Sequence, residues 1–451
     1  MKAMRTWASV CALAVLPACG DDKDETVVPP PPASSACAEG QAVCEVSQNI
    51  TEDTIWTKDH TYVLTTNVFV ERGTLTIEAG TVIQGRLNSS LAITRNAKLD
   101  ARGTAVAPIV FTSAVDKGSR QAGNWGGLVL LGKAPINVQG GEDNIEGYPE
   151  SENTRYGGTD AAHNCGTLQY ARIEFAGFRL GGNNELNGLT LGACGTATTV
   201  DYVQVHRGLD DGVEMFGGTA NLKHIVVTLA DDDGLDWDQG WQGKAQFVAI
   251  QLSRLAGNNG IEADNSSASP NATPRSSPTL WNVTLVGADR AAGASAQTQG
   301  GAILRVGSAG SINNSIIAYF NDFAIDIAGP DSIAEANAGR LIVSNSTFWS
   351  NKVAYGETTF VVKSSSDGSD FSEYLAFLGE SGRGNSVADP KLGKALYKDP
   401  TPEVPGPSFK PEVAIPGGTP PNDGFFDTSA GFQGAVGETD WTAGWTAYPA
   451  S

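Results

Sequence analysis

The chain has 451 residues, 54 of them glycine, and carries 50 acidic against 30 basic side chains for a net charge of −20. Such a surface repels a phosphate backbone, which argues against nucleic acid as a partner, and it disfavours anionic polymers unless a cation bridges them. The length would suit two or three ordinary domains, yet a solenoid that grows by adding coils can use most of it as one unit.

Lys2 and Arg5 precede an apolar run ending in Leu16-Pro17-Ala18-Cys19. This is the pattern of a bacterial lipoprotein signal (1–18), with Cys19 as the lipidated first residue of the mature chain. The alternative is an ordinary secretory signal with an incidental cysteine. Loss of Lys2 and Arg5 takes the charge from −20 to −22. Residues 19–36, acidic and then proline-rich, hold too little apolar surface to fold and read as a tether. The acidic start resembles surface-export signals of Gram-negative lipoproteins, although an aspartate near the cysteine also signals inner-membrane retention. The expected location is therefore the outer membrane or cell surface, with the lipid as the membrane contact. No later segment has the apolar length to span a bilayer.

Export suits the cysteines. Cys11 leaves with the signal and Cys19 is acylated, so four remain; Cys37 with Cys44 and Cys165 with Cys194 is the most economical of three pairings. A zinc site is the rival, but no CxxC or paired histidines accompany these residues. Residues 37–49 then form a short N-terminal cap. From residue 50 to 378, β-branched runs such as TLTIEAGTVIQGR, SLAITRNAKLDARG and GGLVLLG are cut by glycine, as strands and turns are. No long segment carries a helical period.

The repeat is clearest where Thr199 to Gly217 superimposes on Asn221 to Gln239 at a shift of 22 residues without a gap. An apolar-x-x-apolar-x-apolar signature recurs at Leu168/Ala171/Ile173, Ala245/Val248/Ile250, Leu280/Val283/Leu285, Ile312/Ser315/Ile317 and Val343/Ser346/Phe348. Two residues between the first apolar positions predict a turn that reverses facing direction, since an unbroken strand alternates with period two. The residue before the second apolar position is Tyr170, Tyr202, His224, Phe247, Asn282, Asn314 or Asn345. Stacked coils would turn these into one column, aromatic at one end and asparagine at the other, with amides bonding above and below. His224 is expected as a stacking member and not as a metal ligand. About 25 residues per coil gives on the order of a dozen coils, within the periods of such folds. Residues 379–451 read as a Pro/Gly-rich extension packing on the solenoid.

The same repeat stacks carboxylates. Asp210, Asp211 and Glu214 lie above Asp231, Asp232, Asp233, Asp236 and Asp238, and Asn258, Asn259, Glu262 and Asp264 continue the stripe. Either it is well hydrated or a cation binds it. Hard oxygen donors without histidine or thiolate suit Ca2+, although the spacing is not that of an EF-hand. Phe216, Trp237 and Trp241 beside the carboxylates suggest an aromatic face for carbohydrate recognition; the alternative is that they fill gaps against insertions.

These segments, with WGGLVLLGKAPIN, NELNGLTLGACG, DDDGLDWDQGWQGKAQF and the terminal FFDTSAGFQGAVGETDWTAGWT, resemble the right-handed parallel β-helix, pectate-lyase-like superfamily. More narrowly they resemble a group of secreted or lipid-anchored bacterial proteins. The resemblance implies an all-β, right-handed parallel β-helix solenoid with a disulfide cap, and no established activity. It also implies that DWTAGWT packs back on the solenoid, although Trp441 and Trp445 in isolation read as a sugar platform. The superfamily includes polysaccharide lyases and glycoside hydrolases. A hydrolase set of Asp-Asp, Gly-His-Gly and Arg-x-Lys is absent, because His206-Arg207 lacks the flanking glycines and lysine. A lyase would use calcium and a base, for which Arg207 is the nearest candidate. No catalytic residue is assigned. The expected function is a tethered binding face for a glycan or surface protein, calcium-assisted; an enzyme of the β-helix type and a purely structural envelope protein are the alternatives.

Overall fold

Short β-branched runs separated by Gly, Asn and Asp cannot bury a face alone, and they do so here by stacking coil upon coil. The computed structural model describes residues 37, 40–179, 185–253, 255–287, 298–351, 373, 376, 382–392 and 407–451. The expected signal, the tether and Cys19 lie outside the described residues.

Strands pair parallel with their equivalents one coil away, in a nine-stranded sheet and a larger sheet of seventeen strands. The larger sheet is folded along its length into two faces. In Gly166–Glu174 the first half pairs with Ala97–Arg102 and the second with Ile109–Ser113. Each coil therefore has three sides around an apolar interior, the nine-stranded sheet being the first. The 22-residue shift is one coil, since Thr199 pairs with Asn221, His206 with Thr228 and Val213 with Leu235.

The expected bend lies between the second and third sides. Tyr170, Tyr202, His224, Phe247, Asn282, Asn314 and Asn345 all have positive φ, from 46° to 62°. A left-handed residue interrupts the pleat, so the apolar residues on either side both face inward. Stacking offsets the cost of that conformation. Tyr170 lies on Tyr202 at 4.3 Å, Tyr202 on His224 at 4.1 Å and His224 on Phe247 at 4.9 Å. At the other end Gln246 donates to Asn282 Oδ1 (3.1 Å), but the amides of Asn282 and Asn314 donate outward, to Phe432 O and Gly418 O. The asparagines thus serve the C-terminal segment, where the sequence led us to expect them to serve one another.

Both disulfides are formed, with Cα separations of 5.5 Å for Cys37–Cys44 and 5.8 Å for Cys165–Cys194. The second is buried in the core and ties successive coils. Two boundaries differ from expectation. The cap contributes a strand, Val43–Val46, paired with Thr61–Leu64, and the extension contributes Ser386–Val387, paired with Thr347–Trp349. A helix, Pro330–Asn337, interrupts the last coils, started by its proline and held at its end by a bidentate Arg340–Glu335 pair.

Residues 407–451 form a strap along the outside of the larger sheet, and from Gln433 onward it runs from late coils toward early ones. Gln433 accepts from Thr347, Ala435 N–H donates to Thr284, Ala447 exchanges two hydrogen bonds with Gln204 (2.7 and 2.9 Å), and Trp445 O accepts from Arg172. Trp445 is buried against this sheet in a second apolar cluster with Val226, Ala249, Val286 and Ile316. His206 is fully buried beneath the strap, its Nε2 3.0 Å from Pro449 O and its Nδ1 2.7 Å from Thr228 Oγ1. Burial first, and Arg207 next, push its pKa down to about 3, so a neutral imidazole donates to the proline carbonyl. His206 is a clasp for the strap and takes no part in the acidic stripe.

Candidate functional site

The carboxylates lie on and beside the outer surface of the nine-stranded sheet. Period-two alternation puts Val213 and Met215 into the core and Glu214 outside, and the next coil repeats this with Leu235, Trp237 and Asp236. Register then stacks Glu214, Asp236 and Glu262 in one column on three successive strands. Asp238 stands in the neighbouring column, followed by Asp264.

The turn entering each strand holds a second ladder. Asp211 N–H donates to Asn187 Oδ1 (3.2 Å), Asp233 N–H to Asp211 Oδ1 (2.8 Å), and Asn259 N–H to Asp233 Oδ1. Each side chain thus accepts from the backbone of the coil that follows it. Asp211 and Asp233 are 7% and 4% exposed, so these carboxylates are not the hydrated turn groups that one reading of the sequence offered. One carboxylate oxygen from each of Asp211, Glu214 and Asp236 lies within 4.8 Å of the others, and the same holds for Asp233, Asp236 and Glu262 and for Asp210, Asp211 and Asp232.

Such crowding sets the electrostatics. Burial is the largest cause, and neighbouring carboxylates the next, of strongly raised pKa values at Asp211, Glu214, Asp233, Asp236 and Asp238. Glu262 is pushed up to about 7 by burial despite Arg305. Arg305 bonds both Asp264 (2.8 Å) and Glu262, neutralising one end of the stripe. Toward Asp236 and Asp238 no such partner stands: Asp236 Oδ1 and Asp238 Oδ1 are sealed from solvent without a hydrogen bond among the described residues.

Two contributors went unseen in the sequence. Glu146, from the segment bearing the hairpin Glu142–Asn144 and Arg155–Gly157, has its pKa raised to about 7 by burial, then by Glu185 and Asp210. That segment is anchored on the stripe by Tyr156, whose hydroxyl donates to Gln239 Oε1 at 2.6 Å. Arg305 is the other, one coil beyond the acidic run. Glu146 lies outside the repeat, whereas Arg305 follows Leu304 as Asp264 follows Ala263 and so continues that column one coil on, across an insertion that hides the register in the sequence.

The aromatic face is corrected. Trp237 and Trp241 are 1% and 0% exposed inside the core, and Trp241 donates its indole N–H to Ala220 O (3.0 Å). Adjacent residues in a strand point to opposite faces, so Trp237 cannot share the surface of Asp236 and Asp238. Phe216 does point outward, but it is covered in a small cluster with Ile136 and Tyr156. None of the three offers a ring to a ligand on this face.

Residues 48–397 match the family model of the pectate-lyase like beta helix domain. The chain belongs to that family, as the three-sided stack of parallel strands requires. No curated protein and no solved structure matches it.

Proposed function

We propose that this is an exported, lipid-anchored β-helix whose acidic face binds calcium and, through it, a glycan. One observation carries the reading: buried carboxylates converge on common points while Asp236 Oδ1 and Asp238 Oδ1 have no hydrogen-bond partner among the described residues. Leaving a charged oxygen so placed is costly unless a cation or proton satisfies it. The donor set is all oxygen, which fits calcium, with Asp211, Asp233, Asp236, Glu214 and Glu262 as holders. A bound divalent ion would supply positive charge, so that carboxylate or hydroxyl oxygens of a glycan could approach a surface of net charge −20. The export reading rests on the lipoprotein pattern ending at Cys19.

Calorimetry with and without calcium tests this. A ligand that binds only the folded state stabilises by about 2.7 kcal/mol at a hundredfold excess over Kd. Calcium is expected to raise Tm and magnesium to do so much less, and Asp236→Asn, which touches two of the carboxylate trios, to remove most of the rise. Equal shifts with both ions in wild type and variant would sink the metal site. A polysaccharide array with calcium then separates a binding module, which retains glycan unchanged, from an enzyme, which releases shortened or unsaturated products.

A further inference from the structure

A cavity of about 530 Å3 lies on the opposite side of the coil, between the ring column and the strap. This lies within the roughly 300–1,000 Å3 of small-molecule pockets. Its walls are His224 and Phe247 of the column and Phe432 and Trp441 of the strap, with Asp427 and Glu438 also lining it. A smaller cavity of about 210 Å3 adjoins it, sharing Ala414, Phe432, Gly437 and Glu438 in its lining.

The rings decide what fits. His224 has both faces covered, by Tyr202 at 4.1 Å and Phe247 at 4.9 Å, so only its edge is presented outward. That edge is polar, with Nδ1 hydrogen-bonded to Asp201 Oδ1 at 2.7 Å, and the carboxylates of Asp427 and Glu438 on the lining disfavour an anion. Trp441 stands at 66° to His224, and its indole N–H is fixed to Ala435 O at 2.7 Å. Unlike buried Trp445, it is half-exposed, and so is a rigid ring that an apolar surface can lie on. Asp427 stays an ionised acceptor, because the hydroxyl and amide of Ser429 hold its pKa below the ordinary value. Ser429 and Thr439 add hydroxyls to the lining. A ligand with an apolar face and a rim of hydroxyl donors, without charge and longer than one ring, matches this cleft.

We propose that the cleft between column and strap binds a short neutral oligosaccharide, independently of calcium and of the acidic face. The test uses purified full-length protein in EDTA, titrated with neutral tri- to hexasaccharides of glucan, mannan and galactan series and read by tryptophan fluorescence and saturation-transfer NMR. Saturable binding is expected to at least one series. Trp441→Ala should weaken it about tenfold or more, the size of one lost ring contact, while Trp441→Tyr retains most of it. Asp427→Asn with Glu438→Gln, both on the exposed rim, should also weaken it, and this pair decides if Trp441→Ala fails to fold. Asp236→Asn should leave it unchanged. Absence of binding to every series, wild-type affinity in the cleft variants, or binding that disappears in EDTA or in Asp236→Asn would each overturn the proposal.

Discussion

Asp236 is the residue on which the acidic face turns. It shares one carboxylate trio with Asp211 and Glu214 and another with Asp233 and Glu262, and one of its oxygens has no hydrogen bond among the described residues. Two like charges about 5 Å apart repel by roughly 3 kcal/mol at an effective dielectric of about 20, so protons or a cation must relieve the group. The pH dependence follows from the sign of the shifts. Glu262 and Glu146, raised from 4.5 to about 7 chiefly by burial, keep in the native state protons that the unfolded chain has already released. Stability from these groups is therefore present below the unfolded value and is lost as pH rises toward about 7. In chelator, Tm should fall between pH 5 and 7.5; calcium, which binds the deprotonated carboxylates, should flatten or reverse that fall. A chelated protein that grows more stable over this interval would contradict the raised values. The stripe itself was legible, because an acidic pair recurring at one coil's spacing must stack. Burial of Trp237 was not, since a pattern read along the chain shows neighbours and not the face each occupies.

At the scale of one coil, the glycine after each ladder residue matters as much as the carboxylate. A Cβ at Gly212 would stand 2.3 Å from Val227 Cγ1 and 2.7 Å from Gly234 O, and one at Gly234 would meet Ile250 Cγ2 at 2.4 Å. The Asp-Gly pair is thus one device: the aspartate carries the ladder outside while the glycine admits the valine or isoleucine of the third side. Gly212→Ala should destabilise by about 1–3 kcal/mol through overpacking, seen as a lower urea midpoint at unchanged slope. An unaltered midpoint would show that the coils can spread. The bend was equally legible, since two residues where a strand allows one require a reversal, and all seven candidates take positive φ. The bonds from Asn282 and Asn314 to the strap were not, because their partners lie more than a hundred residues away.

For the whole molecule, the proposed lipid anchor at Cys19 carries its own prediction. Cys19→Ser should release the protein from membranes into the soluble fraction; sedimentation with membranes after a salt wash would show another attachment. The stack was legible because its contacts are between consecutive coils, and the cleft between column and strap was not, because it joins distant parts of the chain.

The strap changes how such an array comes apart. A solenoid held only by nearest neighbours has low contact order and can fray one coil at a time from either end. Here Arg172 is bonded to a residue 273 positions away and Gln204 to one 243 away, while Thr284 and Thr347 hold other points of the same segment. These contacts couple coils that share no direct contact, so the body bridged by the strap is expected to melt as one cooperative block, seen as a single calorimetric transition.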